Sequence, residues 1–227
     1  MDHIYKYINN YLHKPVQQNA VFVEIGSERE DGSTSHIADL ARKYSVNFHS
    51  VDVEVEKKSK HENVIWHTEK GSVWTSQYGN TISKPISMLF LDNVDYNYNM
   101  MLDSSIEERK SFWMRQKTEN AAFFNDDHTV PAEELKRFRA NRVNLYASRY
   151  NINLSNEYSQ VEHLTQCMNL FPYLSDNAIV VMDDTYKTND CWIGKCGGVV
   201  LFLLSKGYNI LKEDKLLKGV IMSKMTI

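Results

Sequence analysis

Four short apolar runs, each with an acid at or near its end, recur along the chain. They are AVFVEIG (20–26), SVNFHSVD (45–52), ISMLFLD (86–92) and NAIVVMDD (177–184). Runs of this length, rich in Val, Ile and Phe, are too short for core helices and match buried strands. A carboxylate at the end of a buried strand is costly unless it is paired, solvated or bound to something. The four runs therefore raise one question: what do their acidic ends share?

The segments between them are helical in period. Ile4, Ile8, Tyr11 and Leu12 predict an amphipathic helix over about residues 2–13. Ile37, Leu40, Ala41 and Tyr44 share one face of a second helix, with Ser33 or Thr34 as its cap. NVIWH is a weaker third strand. SQVEHLTQCMNLFPYL places Val161, Leu164, Met168 and Phe171 at helical spacing, and GGVVLFLLSKGY is a glycine-led helix. NILKED and GVIMSKM lie close enough in sequence to pair antiparallel. Alternation of this kind predicts an α/β, Rossmann-like, doubly wound fold. Its sheet is mostly parallel and seven-stranded, with an antiparallel C-terminal strand pair. Ligands of such sheets bind outside the carboxyl ends of the strands. Glu24, Gly26, Asp52, Asp92, Asp183 and Asp184 all fall on that edge.

Residues 99–150 break the alternation. They read as a helical insertion after the fourth strand within a single domain of residues 1–227, whose N-terminal helix lies in 1–19. PAEELKRFRANRVNLYASRY is a helix with Pro131 in its first turn and Glu133 and Glu134 near its positive end. Nine Lys or Arg against eight Asp or Glu make the insertion no nucleic-acid arm. Its position predicts a lid over the site or a subunit contact in a homo-oligomer.

Composition narrows the classes further. A net charge of -3 favours neither nucleic acid nor an acidic membrane, and no apolar run approaches a membrane span. The N-terminus lacks the layout of a signal peptide. Cys167, Cys191 and Cys196 have no CxxC spacing, which predicts reduced thiols and a cytoplasmic protein. Eight scattered histidines without an HExxH motif argue against zinc.

VEIGSEREDGST follows the first strand and opens a helix. Gly26 and Gly32 allow close backbone approach to a ligand, but five residues separate them, so the GxGxxG spacing is absent. Asp52 ends the second strand 26 residues after Gly26, where an acid accepts the hydroxyls of a ribose.

VEIGSEREDGST, FHSVD, FLDNVDY and VVMDDTY, in this order, resemble class I S-adenosylmethionine-dependent methyltransferases. Within that class they resemble the metal-dependent small-molecule O-methyltransferases of the macrocin and catechol type. The resemblance covers about residues 20–98 and 155–227 and leaves the insertion unmatched. It implies that Glu24 and Gly26 line the cofactor's methionine side; Ser27, Gly32 and Ser33 are further cofactor-binding candidates of the same turn, but the family's glycine turn is shorter, so contacts from Ser27 to Asp31 do not carry over. It implies that Asp52 holds the ribose, that Gly71 and Ser72 contact the adenine side, and that Asp92 borders the cofactor. Asp92, Asp183 and Asp184 would bind a divalent cation. Their all-oxygen donors suit Mg2+, Mn2+ or Ca2+. The alternatives are that Lys187 or an arginine of the insertion neutralises the three acids, or that Asp184 caps the following turn. Asp95 stands where relatives carry a histidine or lysine base.

His163 shares a helix face with Gln160 and Cys167. It is either a second candidate base or a histidine satisfied by a backbone carbonyl. Lys187 and Lys195 follow the last acids, as orienters of an anionic acceptor or as surface lysines. The expected function is methyl transfer from S-adenosylmethionine to a hydroxyl of a small molecule. A nicotinamide oxidoreductase and a non-catalytic cofactor-binding module are the rivals.

Overall fold

The computed structural model describes residues 3–12, 16–17, 19–27, 32–53, 61–93, 146–152, 156–188, 191–214, 216 and 218–224. The chain divides into two compact units. One comprises Met1–Val94 and Asn156–Ile227; the other is Asp95–Ser155. Of the second, only a helical stretch at 146–150 and its exit are described. There Tyr146 and Tyr150 meet edge to face and Ile152 N–H donates to the Tyr146 carbonyl. Residues 99–145, and with them most of the expected insertion, lie outside the described residues.

The first unit is built on one sheet. Its strands are β1 (Val21–Ile25), β2 (Asn47–Asp52), β3 (Val64–Thr68), β4 (Ile86–Leu91), β5 (Leu174–Met182), β8 (Asn209–Asp214) and β9 (Gly219–Ser223). Their spatial order is β3-β2-β1-β4-β5-β9-β8. The first five run parallel, while β9 pairs antiparallel with both β5 and β8. This is the expected α/β Rossmann-like sheet. Two short strands not foreseen from the sequence, β6 (Thr185–Thr188) and β7 (Cys191–Gly194), form a separate hairpin after β5.

Strand residues alternate between two cores, as the pleat requires. Val23, Ile25, Leu89, Leu91, Val180 and Met182 point to one face. There they pack with α3 (Gly71–Thr81), α4 (Asn156–Leu170) and α5 (Gly197–Ser205). Phe22, Met88, Phe90, Ile179, Val181 and Ile221 point to the other. That face meets α2 (Ser33–Tyr44) and the N-terminal segment, in which a 3-10 turn (Ile4–Tyr7) leads into α1 (Ile8–Tyr11). Both faces are covered, which is why the strands read as continuous apolar runs rather than alternating ones. No helix among the described residues is long and apolar enough to cross a membrane, and the three cysteines are free.

The strand order reverses at β1. The chain steps outward from β1 to β2 and β3, then returns to the other side of β1 as β4. The crevice beyond the carboxyl ends of β1 and β4 is the switch point at which such sheets bind ligands.

Candidate functional site

Gly26 closes β1 at this crevice with φ +92, a conformation that L side chains rarely adopt. A Cβ there would collide with the Asp92 carbonyl oxygen and come within 2.7 Å of the Asn93 nitrogen. The Gly26 amide donates to the Val51 carbonyl and the Asp92 amide to the Ile25 carbonyl. Glycine is thus what lets the ends of β1, β2 and β4 approach one another. Ser27 continues the turn: its N–H donates to Asp52 Oδ2 at 2.9 Å, and its hydroxyl lies 2.9 Å from that of Ser50. Asp52 is partly exposed at the end of β2 and held against the glycine turn. Residues 28–31 of this turn lie outside the described residues.

Glu24 stands two residues before Gly26 on β1. It is fully buried on the α2 face of β1, and its carboxylate accepts from Ser33 Oγ (2.6 Å), Thr34 Oγ1 (2.8 Å) and Ser50 Oγ (2.7 Å). Burial pushes its pKa up to about 7, against the lowering effect of these three hydroxyls. The expected cap of α2 is corrected accordingly. Gly32 stands at the N-cap position without a side-chain cap bond, and Ser33 and Thr34 turn their hydroxyls onto Glu24. The carboxylate is thereby tied to the positive end of α2. Glu24 and Ser33 thus join the end of β1 to the start of α2.

Gly71 and Ser72 open α3. Gly71 is buried, and a Cβ there would press on Gln166 Nε2 and Ile25 Cγ2. The Ser72 amide donates to Glu162 Oε1 at 2.9 Å, so Glu162 of α4 caps α3 from another element. Lys70 Nζ stands 3.9 Å from the same carboxylate. This amide is therefore already engaged within the protein.

His163 is placed by α4 behind the β4 end, and the structure corrects its expected role as a base. It is fully buried, with Nδ1 2.6 Å from the Ser159 carbonyl oxygen and Nε2 accepting from the Asn93 amide at 3.0 Å. The carbonyl requires the proton on Nδ1 and the amide requires the lone pair on Nε2, so neither nitrogen is left for an acceptor's proton. Burial holds its pKa at about 4, which keeps the ring neutral. Asp95 lies outside the described residues.

Asp92, Asp183 and Asp184 do converge at adjacent strand ends, since Leu91 and Met182 are paired neighbours in β4 and β5. A lysine has joined them. Lys195 Nζ lies 2.7 Å from Asp92 Oδ1 and 3.2 Å from Asp184 Oδ2. Burial first, then the charges of Asp92 and Asp184, push the pKa of Asp183 well above the usual carboxylate range. Among the described residues, no group of three or more His, Cys, Asp or Glu is arranged to hold a metal ion. The expected metal set does not fit, because an ammonium already uses oxygens that a cation would need. The sequence offered Lys187 or an insertion arginine as the neutralising charge. The residue that supplies it is Lys195, expected instead to orient substrate or to lie on the surface.

No family model and no curated protein matches the sequence. Solved structures do match by fold. One is the apo structure of CalS11, a TDP-rhamnose 3'-O-methyltransferase of calicheamicin biosynthesis. Its TM-score is 0.50 at 8% identity, over 96% of this chain and 76% of that one. Another is the MycE methyltransferase of the mycinamycin pathway, in complex with Mg and SAH. Its TM-score is 0.46 at 11% identity, over 96% of this chain and 48% of that one. At such identity the likeness to CalS11 is one of fold: the α/β Rossmann-like sheet.

Proposed function

We propose that the chain is an S-adenosylmethionine-dependent methyltransferase acting on a hydroxyl of a small molecule. The observation that carries this is the β1–β4 crevice, where Gly26 at φ +92 brings backbone against Asp92 and Ser27 holds Asp52 at the end of β2. That arrangement packs the ends of β1, β2 and β4 together at the switch point and sets a carboxylate where a ribose would sit. The sequence resemblance to class I methyltransferases points the same way, and a fold neighbour carries an O-methyltransferase activity.

The cofactor supplies an activated methyl on a sulfonium sulfur. When bound it would offer that methyl to an acceptor oxygen, and the hydroxyl proton would have to pass to a base. What the protein's own residues do is position. Asp52, held by the Ser27 amide, would hold the ribose, and the Asp92–Asn93 backbone, packed against Gly26 and pinned by His163, would border the cofactor. Orientation of this kind can contribute about 7–11 kcal/mol to a bimolecular step. No side chain among the described residues stands out as the base for that proton.

A nicotinamide oxidoreductase would use a GxGxxG turn and a six-stranded parallel order; the sequence lacks the first, and the sheet of the described residues has another order. A thermal-shift panel tests the choice. S-adenosylhomocysteine in hundredfold excess over its Kd should raise the unfolding temperature by on the order of 5 °C, and NAD should leave it unchanged. Stabilisation by NAD alone would reverse the assignment. Binding of S-adenosylmethionine without methyl transfer to any hydroxyl acceptor would favour a non-catalytic module.

A further inference from the structure

We infer that Lys195 is a built-in counter-ion standing where a divalent cation would otherwise be required, so that the acidic edge is complete without metal. The lysine is only 5% exposed, although its long stem would normally carry the ammonium to water. It reaches Asp92 across 103 positions of sequence at 2.7 Å, and Asp184 at 3.2 Å. Withdrawing an ammonium from water is costly and persists only where carboxylates offset it. Two do so here, one from the end of β4 and one from just beyond β5.

The β6–β7 hairpin makes this delivery possible. Gly194, at φ +96, ends β7, and a Cβ there would collide with the Asp184 carbonyl oxygen. The Lys195 amide donates to that same carbonyl at 3.2 Å. The Cys196 amide then donates to Thr185 Oγ1 at 3.1 Å, closing the base of the hairpin. Backbone and side chain of Lys195 are therefore both directed at the acid pair.

Ammonium and metal exclude each other here. Mg2+ needs carboxylate oxygens at about 2.0–2.1 Å in near-octahedral array. The Lys195 nitrogen occupies the space between Asp92 and Asp184 and uses lone pairs that such an ion would take. The inference goes beyond the methyltransferase reading and stands without it, because its test involves neither cofactor nor acceptor.

The test is calorimetric titration of Mg2+ and Mn2+ into the chelator-treated full chain. Wild type should show no saturable binding at millimolar metal, and its unfolding midpoint should not move with chelator. Lys195→Met, which vacates the ammonium position, should bind Mn2+ at least about tenfold more tightly, the scale of one neighbouring charge at contact distance. Lys195→Arg, which keeps the charge, should stay silent. Micromolar Mn2+ binding by wild type that weakens in Asp92→Asn would overturn the inference. So would a folded Lys195→Met that gains no metal affinity. The wild-type titration decides the matter even if the methionine variant fails to fold.

Discussion

Single side chains at the carboxyl edge divide into those that shape the site and those that charge it. Gly26 shapes it. Gly26→Ala must adopt a strained φ and push against the Asp92 carbonyl. It should destabilise the fold by about 1–3 kcal/mol through strain alone, measurable by denaturant unfolding. Glu24 charges it, and its sign can be worked out. Its folded pKa, about 7, is raised, so its stabilising protonation is complete below about 4.5 and lost as pH rises through about 7. His163 acts in the opposite sense. Its folded pKa of about 4 is depressed, so its contribution is present above about 6.5 and lost as pH falls towards about 4. In the window between, the two slopes offset. Glu24→Gln removes one of them, and its stability should fall more steeply than that of wild type between pH 6.5 and pH 4.5. Parallel curves for the two proteins over that range would show that Glu24 does not titrate there. The acids at strand ends were legible in sequence because they interrupt apolar runs. Lys195 was not, since nothing local links it to Asp92.

At the scale of elements, the site depends on helices fastened by distant residues. α2 has Gly32 at its N-cap and is held by Glu24 from β1; α3 has Lys70 at its N-cap and is held by Glu162 from α4. Neither helix carries a side-chain cap of its own. Glu162→Ala should therefore cost about 1–3 kcal/mol, since it leaves the Ser72 amide and Gln166 Nε2 without their shared acceptor. Hydrogen exchange should localise the loss to the first turn of α3. Uniform deprotection across the sheet would show instead that Glu162 supports the whole fold. These fastenings explain why parts of the fold are not legible in the sequence. The segment GSVWTSQYGNT has two glycines and no strong apolar stripe, so α3 gives no helical period of its own and is carried by packing on α4. The β6–β7 hairpin is only four residues a side and reads as loop. By contrast α2, with Ile37, Leu40 and Ala41 on one buried face, is plain in the sequence.

Across the whole molecule, the order β3-β2-β1-β4-β5-β9-β8 does the main work of function. It places the ends of β1, β2 and β4 side by side although Gly26 and Asp92 are far apart in sequence, and it puts the switch point between β1 and β4. The parallel strands and their antiparallel C-terminal pair followed from alternation and spacing, whereas a sequence alone could not say which acids would meet a cation of the protein's own. The central claim is that this crevice binds S-adenosylmethionine, and isothermal titration of S-adenosylhomocysteine into wild type and Asp52→Ala tests it most directly. Saturable binding to wild type is expected. In the variant it should be weaker by on the order of 1.5–3 kcal/mol, the loss of a charge-assisted contact to the ribose. No binding by wild type at millimolar ligand, or equal affinity in the two proteins, would contradict the account.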